Sequence, residues 1–376
     1  MTTPTTGRVA ALTSLALSLA LAACGSGNGG GGSARTVDVT LTDAGCQPAK
    51  LDLPAGAVTF KVTNDGTDRV SEFEVTDGDR ILGEVENVTA GLERSFSLNL
   101  AAGTYTLRCP GGSSASEGTL TVTGKGAAAT AVTDAELTAA AARYRGYIER
   151  QTGLLITATR TFVEAVLTGD VAAAKRAYAP ARVPYERIEP VAESFGDLDP
   201  AIDARAGDVP AAQWGGFHRI EQALWVKGTT QGMGPVARKL LADVTDLQRK
   251  VRTVELDASQ IANGANELLG EVSKSKITGE EERYSRTDLV DFQANLDGSR
   301  AAFDAVRAAL DKRDAGLATQ IQGRFEAVDQ SLASYRSGAG YVPYDRLTDA
   351  DTRKLSQAID ALAEPLSQVG AKLVES

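Results

Sequence analysis

The sequence predicts a protein of two domains, in which an N-terminal all-β sandwich is followed by an all-α helical bundle. Between residues 35 and 124, apolar and polar residues alternate with period two in several short runs, as in half-buried strands. After residue 132, apolar residues recur at spacings of three and four, as in helices that pack together. Residues 125–132, four of which are Ala, separate the two patterns and are predicted to be a linker. A chain of 376 residues is long enough for two cores.

The N-terminus has the pattern of a targeting segment, which is removed from the mature protein. Arg8 supplies a positive charge, residues 9–21 are apolar, and small residues lead to Cys24. This pattern is typical of a lipoprotein signal peptide over residues 1–23, with Cys24 as the lipidated first residue and residues 24–34 as a Gly/Ser tether. A plain secretory signal and a single membrane span are the alternatives, but the apolar run is too short to span a membrane comfortably.

The all-β prediction for residues 35–124 rests on short alternating runs separated by turn residues. The clearest runs are residues 36–41, 58–62, 95–98 and 119–122. Several short strands within about 90 residues indicate a β-sandwich.

The all-α prediction covers residues 133–376. Thr133 and Glu136 have the spacing of a capping box at the start of the first helix. Apolar stripes of helical period then indicate one large bundle domain. The predicted helices cover residues 135–167, 171–178, 184–195, 211–225, 234–256, 258–272, 285–309, 317–337 and 350–373.

The charge balance excludes one class of partner. The net charge is −10 at pH 7, and nucleic acid is not expected because its binders carry basic patches. An acidic surface is compatible with the collection of cations.

The only histidine in the sequence lies in a candidate metal-binding pair. His218 is followed three residues later by Glu221, and on a helix these positions are neighbours on one face. Imidazole and carboxylate together suit a first-row metal ion, and the carboxylate favours harder ions such as iron. The alternative is a histidine at the edge of the core or on a solvated face.

Further acidic residues of the helical domain are candidate ligands. Glu186 and Glu189 have the same three-residue spacing, and Pro184 before them suits a first helical turn. Asp203 follows, and residues 280–282 are three consecutive glutamates. Each cluster alone could equally be a solvated helix face or a cap.

Two cysteines remain once Cys24 is assigned to the anchor. Cys46 and Cys109 form an even pair, and in an exported protein a disulfide is the default expectation. A metal site is the alternative, with carboxylates from the same domain. The candidate carboxylates are Glu72, Glu74, Glu84 and Glu86.

Two stretches of the first domain carry a family resemblance. Residues 53–64 read LPAGAVTFKVTN and residues 102–109 read AGTYTLRC, which is similar to the cupredoxin-like family. A blue-copper His₂Cys centre is excluded because the domain has no histidine. The resemblance instead suggests a Cys/Glu site that would take copper or zinc. Its ligands would be Cys46, Cys109, Glu72 and Glu86.

Three stretches of the second domain carry a second family resemblance. They read YERIEP at 185–190, GFHRIE at 216–221 and GEEERYSRTDLVDFQANLDG at 279–298. In this order they closely resemble the EfeO-type iron-uptake lipoproteins, whose helical part is imelysin-like (HxxE peptidase family). Arg286 stands where relatives often carry a second histidine, so that ligand is excluded. The resemblance implies metal ligands at Glu186, Glu189, Asp203, His218, Glu221 and Glu281, the last with Glu280 and Glu282 as competing neighbours.

The resemblance also implies a function. It implies an extracytoplasmic iron-binding protein, lipid-anchored to the cell membrane or periplasmic, that captures Fe³⁺ or Fe²⁺ and delivers it to an EfeU-type permease. An EfeB-type haem peroxidase would be a further partner protein of the same uptake system. The chain is expected to be a monomer without enzymatic activity.

Two alternative functions come from other classes. One is a metal-dependent peptidase, although a zincin centre needs two histidines and the chain has one. The other is a cation-bridged polysaccharide-binding surface lipoprotein.

Overall fold

A computed structural model describes Met1 and residues 35–114, 116–124 and 135–374. Apart from Met1, the predicted signal peptide lies outside the described residues, as do Cys24, the tether and the predicted linker over residues 125–132. Among the described helices, none is both long enough and apolar enough to cross a membrane.

The first domain is a sandwich of two sheets, as predicted. The sheets have strand orders β2-β1-β4-β7 and β3-β9-β8-β5-β6. β1 runs parallel to β4 and β3 runs parallel to β9. The strands are β1 Arg35–Thr42, β2 Gly45–Gln47, β3 Lys50–Pro54, β4 Gly56–Asn64, β5 Phe73–Asp77, β6 Arg80–Val85, β7 Glu93–Leu100, β8 Gly103–Arg108 and β9 Glu117–Thr123.

Alternation along the strands builds the sandwich core. Val58, Phe60 and Val62 on β4 are buried, and the residues between them are half-buried on the opposite face. The ring of Phe60 lies 5.2 Å from that of Phe96 on the same sheet and 5.6 Å from that of Phe73 on the other sheet, centroid to centroid. These rings fill the space between the sheets, where large aromatic side chains contribute most to burial.

A disulfide joins Cys46 on β2 to Cys109 after β8, with Cα atoms 5.8 Å apart. The two sulfur atoms are bonded to each other, so neither is a thiolate, the form of cysteine that ligates a metal. The disulfide therefore contradicts the prediction that Cys46 and Cys109 are metal ligands, and Glu72 and Glu86 have no cysteine ligand beside them. The bond instead ties an edge strand of one sheet to the other sheet.

The second domain is a helical bundle, as predicted. A short hairpin, β10 Arg336–Ser337 and β11 Gly340–Tyr341, is its only strand pair among the described residues. The helices are α1 Ala135–Thr168, α2 Val171–Glu186, α3 Glu189–Glu193, α4 Leu198–Asp203, α5 Gly216–Trp225, α6 Gly234–Val251, α7 Ala258–Lys274, α8 Asp288–Ala333, α9 Asp349–Leu366 and α10 Val369–Val374, with 3₁₀ turns at Lys276–Thr278 and Tyr344–Arg346.

One local prediction was wrong. Pro184 was expected in a first helical turn, with Glu186 and Glu189 on one helix face, but it lies in the last turn of α2. Helix α2 ends at Glu186 and α3 begins at Glu189. The break between the helices, and not helical periodicity, therefore sets the relation between the two glutamates. Pro184 lies two residues before the end of α2, so the backbone hydrogen bond that it removes is in the last turn of the helix.

The two domains are in direct contact through β6, β7 and α7. Asn263 of α7 donates to the carbonyl of Ser97 at 2.8 Å, and Gln260 donates to the carbonyl of Leu82 at 3.1 Å. The N–H of Ile81 donates to the carbonyl of Ser194 at 3.1 Å. These bonds fix one face of α7 against the sandwich.

Candidate metal centre

A group of charged side chains is buried inside the helical domain. Charged residues are rarely fully buried unless they are paired, so their concentration at one place marks a candidate site. Helices α2, α3, α4, α5 and α8 and the segment 276–287 all contribute. The buried members are Arg182, Glu186, Glu189, Asp203, His218, Glu221, Lys276, Glu281, Glu282, Asp288, Asp291 and Asn295.

Arg182 lies at the centre of this group and is fully buried. Its guanidinium pairs with Asp203 and with Glu186, and it lies 3.3 Å from Glu281. It also lies 2.6 Å from Glu282. Burial alone would lower the pKa of Arg182, but Asp203 and the other carboxylates raise it well above its ordinary value. The guanidinium is thus a permanent cation inside the site.

Lys276 is a second internal cation. Its Nζ lies 2.9 Å from Glu186 Oε2, 2.5 Å from Glu189 Oε2 and 3.5 Å from Glu271 Oε2. Burial would lower the pKa of Lys276, but Glu186 and Glu189 raise it well above its ordinary value. The two predicted ligands Glu186 and Glu189 are therefore held by a cation of the protein itself.

His218 faces carboxylates through both ring nitrogens. Its Nδ1 lies 3.2 Å from Glu221 Oε2, and its Nε2 lies 3.3 Å from Glu281 Oε1 and 3.6 Å from Asp203 Oδ1. The Nε2 atom is buried and makes no hydrogen bond of acceptable geometry. Burial and Arg182 would lower the pKa of His218, but Asp203 and Glu221 raise it well above its ordinary value.

A glycine brings α5 close enough to α4 for this contact. Gly216 has φ +68°, and a Cβ at this position would lie 2.1 Å from the carbonyl oxygen of Ile202. Only glycine fits both the backbone conformation and the close approach. Helix α5 therefore starts directly against the residue before Asp203 and carries His218 to that carboxylate.

Glu221 is fixed by backbone donors. Its Oε1 accepts the N–H of Tyr284 at 2.9 Å and that of Ser285 at 2.6 Å, while Oε2 faces His218. Burial would raise the pKa of Glu221, but the hydrogen bonds from His218 and the two N–H groups hold it below its ordinary value. Glu221 is therefore an ionised, rigid support for the imidazole ring.

Asp203 and Glu281 are also ionised near neutral pH. Burial would raise both pKa values, but Arg182 and His218 keep the pKa of Asp203 low, and Lys276 and His218 keep that of Glu281 well below its ordinary value. By contrast, burial raises the pKa of Glu282 to about 8 despite Arg182. The carboxylates closest to His218 Nε2 are thus the ones that carry charge.

The donor set at His218 fits a metal ion. Ligand atoms from Asp203, His218 and Glu281 lie within 4.8 Å of one another. One imidazole with two carboxylates suits a first-row transition ion such as iron, and the unpaired Nε2 is where such an ion would attach. Arg182 and Lys276 do not neutralise the whole group, because the buried acidic side chains outnumber the cationic ones.

The structure brings most of the predicted ligands together and adds others. Of the three consecutive glutamates, Glu281 and Glu282 are buried, whereas Glu280 is exposed. Sequence reasoning missed Arg182 and Lys276, and it named Glu282 only as a competing neighbour of Glu281. A signal was present for Arg182, since Tyr178, Arg182 and Glu186 recur every four residues on one face of α2, and the hydroxyl of Tyr178 lies 3.4 Å from His218 Nδ1.

The predicted Glu72 and Glu86 belong to a different group. With Glu84 they place carboxylate oxygens within 4.8 Å of one another beside the contact between the domains. They do not take part in the group around His218.

Fold and site together define a cupredoxin-like domain joined to a helical domain with a buried His/carboxylate centre. The family model of the cupredoxin-like domain matches residues 11–122, and that of imelysin matches residues 127–369, more than half of the chain. The chain therefore belongs to the imelysin family and, within it, to the EfeO group.

Named relatives support this assignment. The iron uptake system component EfeO of Escherichia coli (strain K12) is 41% identical over 339 residues, which cover 89% of this chain and 90% of the relative. The protein of the same name from Shigella flexneri matches equally. A solved purple cupredoxin from Nitrosopumilus maritimus is 19% identical, and the match covers 23% of this chain and 98% of the cupredoxin, with a TM-score of 0.18.

Proposed function

We propose that the protein is the iron-binding component of an iron uptake system, and that it captures Fe³⁺ or Fe²⁺ at His218, Asp203 and Glu281. One observation carries the proposal. The Nε2 of His218 is buried without a hydrogen bond, between two carboxylates whose oxygens lie 3.3 and 3.6 Å away. The relatives that share 41% identity with this chain are named as components of iron uptake.

Arg182 gives this site a built-in counter-cation. It pairs with Asp203 and Glu281, the same carboxylates that face His218. Without iron, Arg182 pairs with these buried carboxylates, which would otherwise be uncompensated charges in the interior. When iron binds, Asp203 and Glu281 turn from the guanidinium to the ion, and the imidazole gives up its proton. Capture is therefore an exchange of cations, and that favours reversible binding and hand-over.

The predicted lipid anchor and the expected partners extend the proposal. The predicted lipid anchor at Cys24 and the tether would hold the protein outside the cytoplasm at the cell membrane. There it would deliver iron to an EfeU-type permease, with an EfeB-type haem peroxidase as co-worker. We retain Glu186 and Glu189 as ligands that act after displacement of Lys276, since that lysine now pairs with both.

An ion suits this site better than a peptide substrate does. His218 is 1% exposed, so the scissile bond of a peptide would have no access to the imidazole in this conformation. A peptidase also needs a metal with an open position and a base beside it. We therefore propose a carrier without enzymatic activity.

The test is iron titration by calorimetry on the mature chain without its lipid, with Fe²⁺ under nitrogen and with Fe³⁺ as citrate in air. Wild type should bind iron at one tight site that His218→Ala removes. Binding that is unchanged in His218→Ala would place iron elsewhere, and wild type that binds no iron would overturn the carrier function. Hydrolysis of a general peptide substrate by the metal-loaded protein would support the peptidase instead.

A further inference from the structure

A second group of carboxylates lies where the two domains meet. A cavity of about 450 Å³ opens between β6 and β7 of the sandwich and α7 of the helical domain. It has room for an ion with several of its waters. Both domains supply acidic side chains to its wall. Those lining it include Glu84, Glu86, Glu267 and Glu271.

Glu84 connects two overlapping sets of carboxylates. Its oxygens lie within 4.8 Å of those of Glu72 and Glu86 in the sandwich, and within the same distance of those of Glu193 and Glu267 in the helical domain. Glu267 and Glu271 are four residues apart on α7, on the same helix face as Asn263, which bonds to the sandwich. The domain contact therefore aims these glutamates at one another.

Apart from Glu271, the carboxylates of this group form no ion pair with a cationic side chain among the described residues; Glu271 Oε2 lies 3.5 Å from Lys276 Nζ. Glu84 is 9% exposed, and among the described residues no cation forms an ion pair with its carboxylate, whose hydrogen-bond neighbour is the carboxyl group of Glu72. Glu74, which is 6% exposed and lies opposite Glu84 in the pairing of β5 with β6, has an unpaired Oε2. The buried Glu271 likewise has an unpaired Oε1. Like charges directly opposite on paired strands are destabilising, and buried carboxylates without partners are more so.

The basic residues of the cavity do not form ion pairs with these glutamates. Arg94 and Lys274 line it, but in the described part of the chain neither forms an ion pair within 4.0 Å of a glutamate. Burial and the proximity of Arg94 lower the pKa of Lys274 to about 8. Burial and mutual repulsion raise the pKa of Glu84 well above its ordinary value and that of Glu72 to about 9. In the absence of a cation, these raised pKa values favour protonated carboxyl groups, which do not repel one another as carboxylates do.

We infer that Glu84, Glu193 and Glu267, supported by Glu72 and Glu86, form a second cation site that bridges the two domains. The set contains only oxygen donors, so it favours a hard divalent ion such as Mn²⁺ or Ca²⁺ over copper. The ion is bound by strand β6, the end of α3 and the middle of α7, and thereby fastens the sandwich to the bundle. The inference does not depend on iron binding at His218.

The probe is Mn²⁺, whose free form is counted by electron paramagnetic resonance. The background is the iron-free His218→Ala chain, so that only the second site is counted. We expect one Mn²⁺ to bind to it and to raise its unfolding temperature, because a ligand of the folded state stabilises that state. Addition of Glu84→Gln with Glu267→Gln should weaken Mn²⁺ binding at least tenfold and abolish the temperature shift.

The matched control removes the same charge elsewhere. Glu149→Gln with Glu164→Gln, on an exposed face of α1, should leave Mn²⁺ binding unchanged. If circular dichroism shows that the double interface variant does not fold, Glu193→Gln alone, at a half-buried position, should still weaken binding. Absence of Mn²⁺ binding in the His218→Ala background, or equal binding in the interface and control variants, would overturn the inference. In a chain that retains His218, iron binding that survives Glu84→Gln with Glu267→Gln separates this site from the one at His218.

Discussion

Arg182 donates to both carboxylate oxygens of Asp203, and one of those oxygens, Oδ1, also lies 3.6 Å from His218 Nε2. The same carboxylate is thus shared between a cation of the protein and the nitrogen atom that would bind iron. Under the proposed function, iron and Arg182 would therefore compete for Asp203. The consequences for stability and for affinity can be measured separately.

Replacement of Arg182 should weaken the iron-free protein and strengthen its response to iron. Arg182→Met leaves several buried carboxylates without their cation, and we expect unfolding to become easier by about 3–5 kcal/mol. Iron should then stabilise the variant more than wild type, because no guanidinium competes for Asp203. Chemical denaturation with and without Fe²⁺ measures both effects. Arg249→Met is the control, since the side chain of Arg249 is 70% exposed and pairs with Asp246 at the surface, and its loss should change stability by about 1 kcal/mol or less.

Adjacent glutamates provide a test of the ligand assignment. Glu281 lies 3.3 Å from His218 Nε2 and is buried, whereas the side chain of Glu280 is 65% exposed and pairs with Arg283. Glu281→Gln should lower iron affinity at least tenfold, and Glu280→Gln should leave it unchanged. Each change removes one negative charge from neighbouring positions, so equal losses in the two variants would show a general electrostatic effect and not ligation.

His218 should make the stability of the iron-free protein depend on pH. Despite burial and Arg182, the carboxylates raise the pKa of folded His218 above 6.5, its value in the unfolded chain. Its contribution is therefore fully present below pH 6.5 and is lost as pH rises through the folded pKa. In a chelator, the difference in unfolding free energy between wild type and His218→Gln should be largest near pH 6 and smaller near pH 9. A difference that grows with pH would mean that folded His218 is neutral.

The sequence predicted the parts of the site that are close together in the chain. His218 and Glu221 share one turn of α5, so their spacing alone indicates that they are neighbours. Arg182 is paired mainly with residues of other elements. Its four-residue spacing from Tyr178 and Glu186 indicates a shared helix face but does not show that the arginine is buried. The prediction that Glu186 and Glu189 share one helix face was wrong because helical spacing was extended across the break between α2 and α3.

The interface group shows the same limit. Strand alternation places the glutamates of β5 and β6, but Glu193 and Glu267 reach Glu84 only through the contact between the domains. The fold class, by contrast, depends on periodicities of two and of three to four, which hold along whole elements. It was therefore predictable without tertiary contacts, whereas the partners of buried charges were not.

The disulfide should stabilise the sandwich without affecting iron binding. Cys46 and Cys109 are 63 residues apart in the chain, and a loop of that length corresponds to about 4 kcal/mol in the chain-entropy account. Cys46→Ser with Cys109→Ser should lower stability by that order and leave the iron affinity at His218 unchanged. The denatured, unreduced mature chain without Cys24 should show no free thiol with a thiol reagent. Two reactive thiols would restore the metal-ligand assignment of these cysteines.

Gly216 tests whether the approach of α5 to α4 positions His218. In Gly216→Ala the new Cβ would meet the carbonyl oxygen of Ile202 at 2.1 Å, at a φ of +68°. Helix α5 must then move, which separates His218 from Asp203. We expect backbone strain to lower the free energy of unfolding by about 1–3 kcal/mol. We also expect iron affinity to fall, because His218 no longer lies beside Asp203. Gly232→Ala has a similar φ of +80° but nothing within 4 Å of its Cβ, so it should cost stability and leave iron affinity unchanged. Equal iron affinity in the two variants would show that the close approach does not position the ligand.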